Sequence, residues 1–231
     1  MMPHTISQTE QSTVRIRLAG ADTSANISLP RNPCGLILFA GGAASGSNST
    51  VTRRLADLLN KGGFATVVGD LILEHEQVLN EHTGALCCGL DLLEQRLVAI
   101  TDWSEMQDSL RNLPVGYFGL GIGADAAFIA ASKRSRVKAL VACGAPLDHL
   151  EGYSGDLSAA ALYVTGNEDT DLLDRQRSAI AQLPNSTNRQ VEIIGWTTDP
   201  LRDTHAVDRV GLLARKWFES HLSAESCFGA H

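Results

Sequence analysis

The chain of 231 residues carries 19 basic and 26 acidic side chains, a formal net charge of −7, and 44% hydrophobic residues. Because it has no basic surplus, we expect neither nucleic acid nor a membrane surface as a partner. The length favours a single domain with a sizeable core. The first ten residues are polar, and no segment has the roughly 18 successive apolar residues that a membrane span needs, so the sequence predicts a cytoplasmic protein.

Metal and redox sites find little support in the sequence. The cysteines are odd in number and have neither CxxC nor Cys/His spacing, so free, buried thiols are the favoured interpretation. His75 and His82 would stand about 10 Å apart along a helix, too far for one metal ion. We therefore predict no metal and no cofactor. The five cysteines are Cys34, Cys87, Cys88, Cys143 and Cys227.

Short β-rich apolar runs alternate with segments of helical period, a pattern typical of a mostly parallel sheet with helices on both faces. Two strands, over 13–19 and 25–29, flank a turn-forming stretch at 20–22 and predict an antiparallel hairpin at one sheet edge. Six more strands are expected in crossover units, which makes eight in all. Their predicted ranges are 35–40, 64–68, 115–118, 137–142, 160–164 and 190–194.

Apolar residues at helical spacing predict helices over 51–61, 90–100, 124–132, 172–183 and 207–218. The stretch 69–84 is mainly polar and is interpreted as a connecting region. No internal repeat or credible linker interrupts the pattern. We therefore expect one α/β domain over 13–222, with a flexible segment at 1–12 and a flexible tail at 223–231.

In open α/β sheets, sites form beyond the carboxyl ends of the strands. The most informative loop there is Gly-Leu-Gly-Ile-Gly at 119–123, a strand-to-helix turn with glycine at its first and fifth positions. A nucleophile elbow has the pattern G-x-S-x-G, in which larger outer residues would clash with the strand and the helix. Here the central residue is Gly121, so the turn presents no nucleophile at its apex.

The same letters fit a second pattern, because Gly119, Gly121 and Ala124 also satisfy the dinucleotide fingerprint G-x-G-x-x-A. That interpretation requires an acidic residue at the end of the next strand, to hold the ribose. The next strand ends in residues 141–144, Val-Ala-Cys-Gly, without an acid. Nucleotide binding is therefore the less favoured alternative.

Between residues 35 and 222 the chain resembles the α/β-hydrolase fold, and within it the small dienelactone-hydrolase-like proteins. The strings that carry the resemblance are LFAGG at 38–42, AITDW at 99–103, LPVGYFG at 113–119 and TGNED at 165–169. The resemblance implies an eight-stranded, mostly parallel sheet with helices on both faces and an N-terminal antiparallel hairpin.

The resemblance also implies a catalytic triad, which this sequence keeps only in part. Gly121 stands where the nucleophile is expected, and Thr198 stands where a histidine follows the last strand. Asp169 matches the acid, with Glu168 as the alternative, and Gly41 replaces a histidine of the oxyanion loop. Glycine cannot attack and threonine is no base near neutral pH, so these positions exclude an acyl-enzyme route.

The remaining polar candidates each have a structural alternative. His205 would fold back toward Asp169, or else it is a solvated or capping residue at the start of the final helix. Asp169 is either a residual general acid or base, or the cap of the next helix. The serines of the 41–50 loop would line a pocket or bind an anion, or they simply make the loop flexible. These serines are Ser45, Ser47 and Ser49.

Two functions remain open. The favoured hypothesis is a non-hydrolytic protein of this fold that binds a small molecule or a protein partner, with a ligand site formed by Gly41, Gly42, Ala43, Gly121 and Ile122. Its basis is the joint loss of nucleophile and base. The alternative is a hydrolase of ester- or lactone-like substrates with a displaced mechanism, in which Asp169, His205 or a loop serine activates the attacking group.

Overall fold

The computed structural model describes residues 9–18, 20–41, 46–83, 89–145, 147, 157–168, 170–182, 188–195, 197 and 199–222. Within these residues, eight strands form one sheet in the spatial order β1-β2-β4-β3-β5-β6-β7-β8. The strands are β1 (Glu10–Leu18), β2 (Ala21–Leu29), β3 (Leu36–Gly41), β4 (Ala65–Asp70), β5 (Val115–Leu120), β6 (Val137–Cys143), β7 (Ala160–Gly166) and β8 (Arg189–Ile194).

The predicted eight-stranded, mostly parallel sheet is confirmed, and β2 alone of these strands runs against the others. It pairs antiparallel with β1 on one side and with β4 on the other. The β1–β2 register runs from Glu10 opposite Leu29 to Leu18 opposite Ala21, so the connection between the strands is short. Gly20 has a φ of 78°, which suits such a tight hairpin turn. Both hairpin strands are therefore longer than the sequence pattern indicated.

Six helices occur in the described part of the chain: α1 (Thr50–Lys61), α2 (Glu74–Thr83), α3 (Leu90–Glu105), α4 (Ile122–Ser132), α5 (Thr170–Gln182) and α6 (Thr204–Leu222). Helix α2 lies in the stretch that was interpreted as a polar connection. A tertiary contact holds it: Glu76 in its first turn forms a two-point ion pair with Arg96 of α3, at 2.6 and 2.7 Å. No described helix is both long and apolar enough to cross a membrane.

The sheet separates two apolar cores. Strand β5 shows the division, because Tyr117 and Phe118 are both fully buried but belong to opposite faces. The Tyr117 face packs under α3 and α4, where Leu97 and Phe128 are buried. The Phe118 face packs under α1 and α6, and the Phe118 ring lies 5.2 Å from that of Phe39. The sandwich of helices fixes the carboxyl ends of β3 and β5 side by side.

Candidate functional site

The turn between β5 and α4 has the backbone of a nucleophile elbow. Gly121 has φ 55° and ψ −131°, a combination that glycine adopts freely and other residues adopt only under strain. The strand ends one residue earlier, at Leu120, and the helix begins one residue later, at Ile122. The N–H of Gly121 donates to the Cys143 carbonyl at 3.0 Å, and this hydrogen bond anchors the turn to β6.

The two outer glycines of the turn are required by close packing. A Cβ atom on Gly119 would overlap the backbone of Ala124 in the first helical turn. A Cβ atom on Gly123 would overlap the carbonyl group of Ala40 in β3. Residues 119 and 123 must therefore be glycine in this arrangement, as the elbow pattern predicts.

The apex is open toward the described residues. A Cβ atom built on Gly121 meets none of their atoms within 4 Å. Gly41, the last residue of β3, lies opposite Leu120 in the sheet, and Ile122 is the half-buried first residue of α4. The structure thus brings Gly41, Gly121 and Ile122 to one edge. The other two predicted ligand positions, Gly42 and Ala43, lie outside the described residues.

The ends of β7 and β8 meet at the same edge of the sheet. The N–H of Asn167 donates to Ile194 at 3.2 Å, and that of Glu168 donates to the Thr197 carbonyl, also at 3.2 Å. Asp169 and Thr198, the expected acid and histidine positions, lie outside the described residues. Their immediate neighbours are nevertheless hydrogen bonded to each other, so the two segments that carry them are adjacent. Glu168, the alternative acid, is exposed.

His205 is the second residue of α6, and its side chain is exposed. Its N–H donates to the carboxylate of Asp203 at 2.7 Å, and the N–H of Ala206 donates to the same oxygen at 3.3 Å. Asp203 therefore caps the helix, while His205 occupies the first turn. His205 is therefore a solvated residue at the start of the final helix, which is the second of the two interpretations given for it from the sequence.

Two of the three loop serines have structural roles. Ser49 is the N-cap of α1 and accepts the N–H of Thr52 at 3.4 Å. Ser47 is buried and donates its hydroxyl to the carboxylate of Asp70 at 2.8 Å. Ser45 lies outside the described residues. Neither described serine is a loose loop residue.

Asp199 is a carboxylate at this edge that the sequence analysis did not single out. One of its oxygens accepts the N–H of Leu201 at 2.9 Å and lies near Gly144, which follows β6. Burial, together with the charge of Asp199, raises the pKa of the Cys143 thiol. The Asp-Pro pair at 199–200 was a turn signal in the sequence, but nothing local indicated that the turn folds over β6.

The remaining predicted positions carry no further chemistry in the structure. Cys34 and Cys143 are buried, and Cys143 is a free thiol, whereas Cys87 and Cys88 lie outside the described residues. Among the described residues, no group of three or more His, Cys, Asp or Glu side chains could hold a metal ion.

Known proteins resemble this chain in sequence and in structure. No family model matches the chain. Two curated proteins of Mycobacterium tuberculosis, each named "Putative phosphoribosyl transferase", are 31% identical over 210 residues. This match covers 90% of the chain but 46% of each relative. The chain thus spans about half the length of the curated relatives it matches.

Several solved structures are similar to this one. A dienelactone hydrolase from Anabaena variabilis superposes with a TM-score of 0.85 and 29% identity, over 93% of this chain and 99% of that one. A dienelactone hydrolase-like promiscuous phosphotriesterase, P91, from metagenomic libraries has a TM-score of 0.70 and 16% identity, over 93% and 99% of the two chains. Est1E from Butyrivibrio proteoclasticus matches at 0.70 and 15%, over 89% and 98%. The chain therefore has the α/β-hydrolase fold, and its structural neighbours are dienelactone hydrolase-like proteins.

Proposed function

We propose that this protein is a non-hydrolytic member of the α/β-hydrolase fold that binds a small molecule or a protein partner at the carboxyl edge of its sheet. The observation that carries the proposal is Gly121 at the apex of an intact elbow. An acyl-enzyme mechanism needs a side-chain nucleophile at this point, beside backbone amides that stabilise the oxyanion. With Gly121 at the apex, the turn keeps its backbone amides but has no side-chain nucleophile.

The geometry of the turn around Gly121 is retained, which supports a binding role for this site. Gly119 and Gly123 keep the close contacts of β5 and β3 with α4, and no atom of the described residues lies within 4 Å of a Cβ position on Gly121. Ile122, as the first residue of α4, has a backbone N–H without a helical acceptor on its own helix, as all first-turn amides do. A ligand group with an acceptor oxygen would find a prepared position there.

The similar proteins have names that refer to different activities, so these names leave the activity of this chain open. The Anabaena variabilis neighbour is named a dienelactone hydrolase, and its 29% identity supports a related site. The Mycobacterium tuberculosis relatives are named for phosphoribosyl transfer, but the chain matches less than half of each. We therefore do not assign phosphoribosyl transfer to this chain.

A displaced hydrolytic mechanism remains the second candidate, since the elbow backbone is retained. It would need Asp169 or His205 to activate water or another nucleophile on an ester- or lactone-like substrate. The exposure of His205 and the engagement of Ser47 by Asp70 weigh against it. The free thiol of Cys143 suits a reducing compartment and supports a cytoplasmic location as part of the proposal.

The test is an activity measurement on the purified protein with short p-nitrophenyl esters and a dienelactone, together with labelling by a fluorophosphonate probe. We expect no turnover above the uncatalysed rate and no labelled serine. Turnover that is abolished by His205→Gln, or labelling that is abolished by mutating one serine, would replace the proposal by the displaced mechanism. Asp203→Asn, next to His205, controls for disturbance of the α6 start.

A further inference from the structure

The β1–β2 hairpin has two different faces. One face carries Ile16, Leu18 and Ala25, which are buried in the core beneath α3. On the opposite face, the strand register aligns polar side chains in two rows across β1, β2 and β4. One row is Gln11, Ser28 and Thr66; the other is Thr13, Asn26 and Val68. Of the described residues in this hairpin, none belongs to the apolar core under α1 and α6.

These rows form the base of a groove, the hairpin groove, with a volume of about 630 Å³. Helix α1, with Arg53 and Asp57, forms a wall beside this base. Its floor is closed, because Thr66 and Val68 are only 1% and 6% exposed. The volume falls within the few hundred to roughly 1,000 Å³ of small-molecule sites. None of the described residues that line it belongs to the turn at 119–123, so it is separate from the elbow.

The lining of the hairpin groove is dominated by hydroxyl and carboxamide groups, which both donate and accept hydrogen bonds. Some are already paired: Thr13 donates to Asn26 at 3.0 Å, and Thr66 accepts from Asn60 at 3.0 Å. Within the described part of the chain, the side chains of Gln11 and Ser28 have no hydrogen-bond partner. These groups are available to a ligand.

The charges of the lining limit the kind of ligand. Arg53 and Asp57 are one helical turn apart on α1 and carry opposite charges, so the groove is neutral overall. The guanidinium of Arg53 donates to the Asn48 carbonyl at 2.8 Å, so one of its N–H groups is already bound within the protein. A strongly anionic ligand would meet Asp57, and an acyl chain would leave the hydroxyl and amide groups unsatisfied.

We propose that the hairpin groove binds a neutral, hydroxyl-rich ligand of one or two rings, a mono- or disaccharide in chemical class. Each sugar hydroxyl both donates and accepts, which matches the dual capacity of the Ser, Thr, Asn and Gln side chains. The apolar part of the lining, Val68 on the floor and Ala56 on the α1 wall, suits the C–H face of a sugar ring. The site is independent of the elbow and of any activity there.

The test is saturation-transfer NMR on the whole chain with maltose and D-ribose as probes and hexanoate as the acyl comparison. We expect transfer to at least one sugar, with millimolar affinity, and none to hexanoate. Ser28→Trp places an indole in the groove and is expected to weaken sugar binding by about tenfold or more. Ser24→Trp is the matched control, because Ser24 is an exposed residue on the same strand and face, outside the groove.

Two results would overturn the proposal. One is the absence of transfer to both sugars with the folded wild-type chain. The other is sugar transfer that Ser28→Trp leaves unchanged while the far-UV circular dichroism of that variant matches the wild type. Loss of the signal in Asp57→Ala, an exposed position on α1, would confirm that the α1 wall takes part.

Discussion

The carboxylate of Asp70, at the last position of β4, accepts both the backbone N–H and the hydroxyl of Ser47, 23 residues earlier in the chain. The contact ties the loop that follows β3 to the neighbouring strand. A Cβ atom on Gly46 would overlap the Asp70 carboxylate, so this approach needs glycine at position 46. Residues 46 and 47, just before α1, are therefore held against the end of β4 by a side chain.

We expect Asp70→Ala to lower the free energy of unfolding by about 1 to 3 kcal/mol, because it leaves the buried Ser47 hydroxyl without its acceptor. Urea denaturation followed by circular dichroism measures the change. Asp108→Ala is the control, since the Asp108 side chain is 90% exposed and pairs only at the surface with Arg111. Such surface pairs contribute about 0 to 1 kcal/mol. Equal effects of the two variants would contradict the anchoring role of Asp70.

A second prediction concerns α2, which the buried Arg96 attaches to α3. The side chain of Arg96 is 3% exposed and that of Glu76 is 13% exposed, and Arg96 also donates to the Leu71 carbonyl at 2.6 Å. Removing one partner of a buried pair costs about 3 to 5 kcal/mol because a charge is left uncompensated. We expect Glu76→Ala to destabilise by that order and to speed amide exchange across α2.

The measurement is urea unfolding combined with hydrogen exchange resolved by helix. Arg111→Ala provides a control with an exposed arginine and is expected to change neither quantity appreciably. Exchange in α2 that stays slow in Glu76→Ala would show that the helix is held by something other than this pair.

These contacts also explain what the sequence could and could not predict. The elbow was predictable because its sequence pattern is local: Gly119, Gly121 and Gly123 stand within five residues. A Cβ atom would overlap neighbouring backbone at Gly119 and Gly123, and the backbone of Gly121 has a positive φ. The central strand was predictable from its apolar residues at 115–118, and β5 extends two residues further, to Leu120. Helix α2 was not, since its partner Arg96 lies 20 residues beyond Glu76 and the helix has little apolar periodicity of its own.

The same reasoning applies to the site. The strings around β3, β5 and β7 indicated the loops that meet at the carboxyl edge. They did not indicate that Asp70 would hold Ser47, or that Asp199 would lie beside Gly144. Each of these contacts depends on which strands are neighbours and where a loop crosses the edge. Residue identity along the chain does not contain that information directly.

A third prediction uses the surface pair between α1 and α6. Arg54 donates to both oxygens of Asp208, at 2.8 and 3.0 Å, and this lowers the pKa of the Asp208 carboxyl. A lowered pKa in the folded state means that the pair stabilises the fold above the ordinary carboxyl pKa. That contribution is lost as the pH falls through the lowered value.

We therefore expect Arg54→Gln to raise the pKa of Asp208 toward its ordinary range, as measured by NMR titration of the side-chain carboxyl. Arg53→Gln is the matched control, because Arg53 is the adjacent arginine and bonds to the Asn48 carbonyl instead. An Asp208 pKa that does not respond to Arg54→Gln would mean that the pair is not formed in solution.

The last prediction restores what the apex lacks. Gly121→Ser adds a hydroxyl in the open space above the turn, but the φ of 55° imposes strain of about 1 to 3 kcal/mol on any side chain. Gly121→Ala imposes the same strain without the hydroxyl and so separates stability from chemistry. Gly123→Ser is expected not to fold correctly, because its Cβ would overlap the carbonyl of Ala40.

Gly121→Ser alone is expected to give little activity, since a serine hydroxyl without a base is a weak nucleophile. With Thr198→His added, an imidazole is expected to follow β8, on the segment that is hydrogen bonded to the end of β7 through Glu168 and Thr197. We expect weak esterase activity and fluorophosphonate labelling of residue 121 in the double variant only. Gly121→Ala with Thr198→His is the inactive control, because it has the base and the strain but no nucleophile. A structure of the double variant could place the new hydroxyl and imidazole more than about 6 Å apart, beyond hydrogen-bond reach. That result would show that Thr198 does not occupy the histidine position. The non-hydrolytic proposal would then rest only on the missing nucleophile at Gly121.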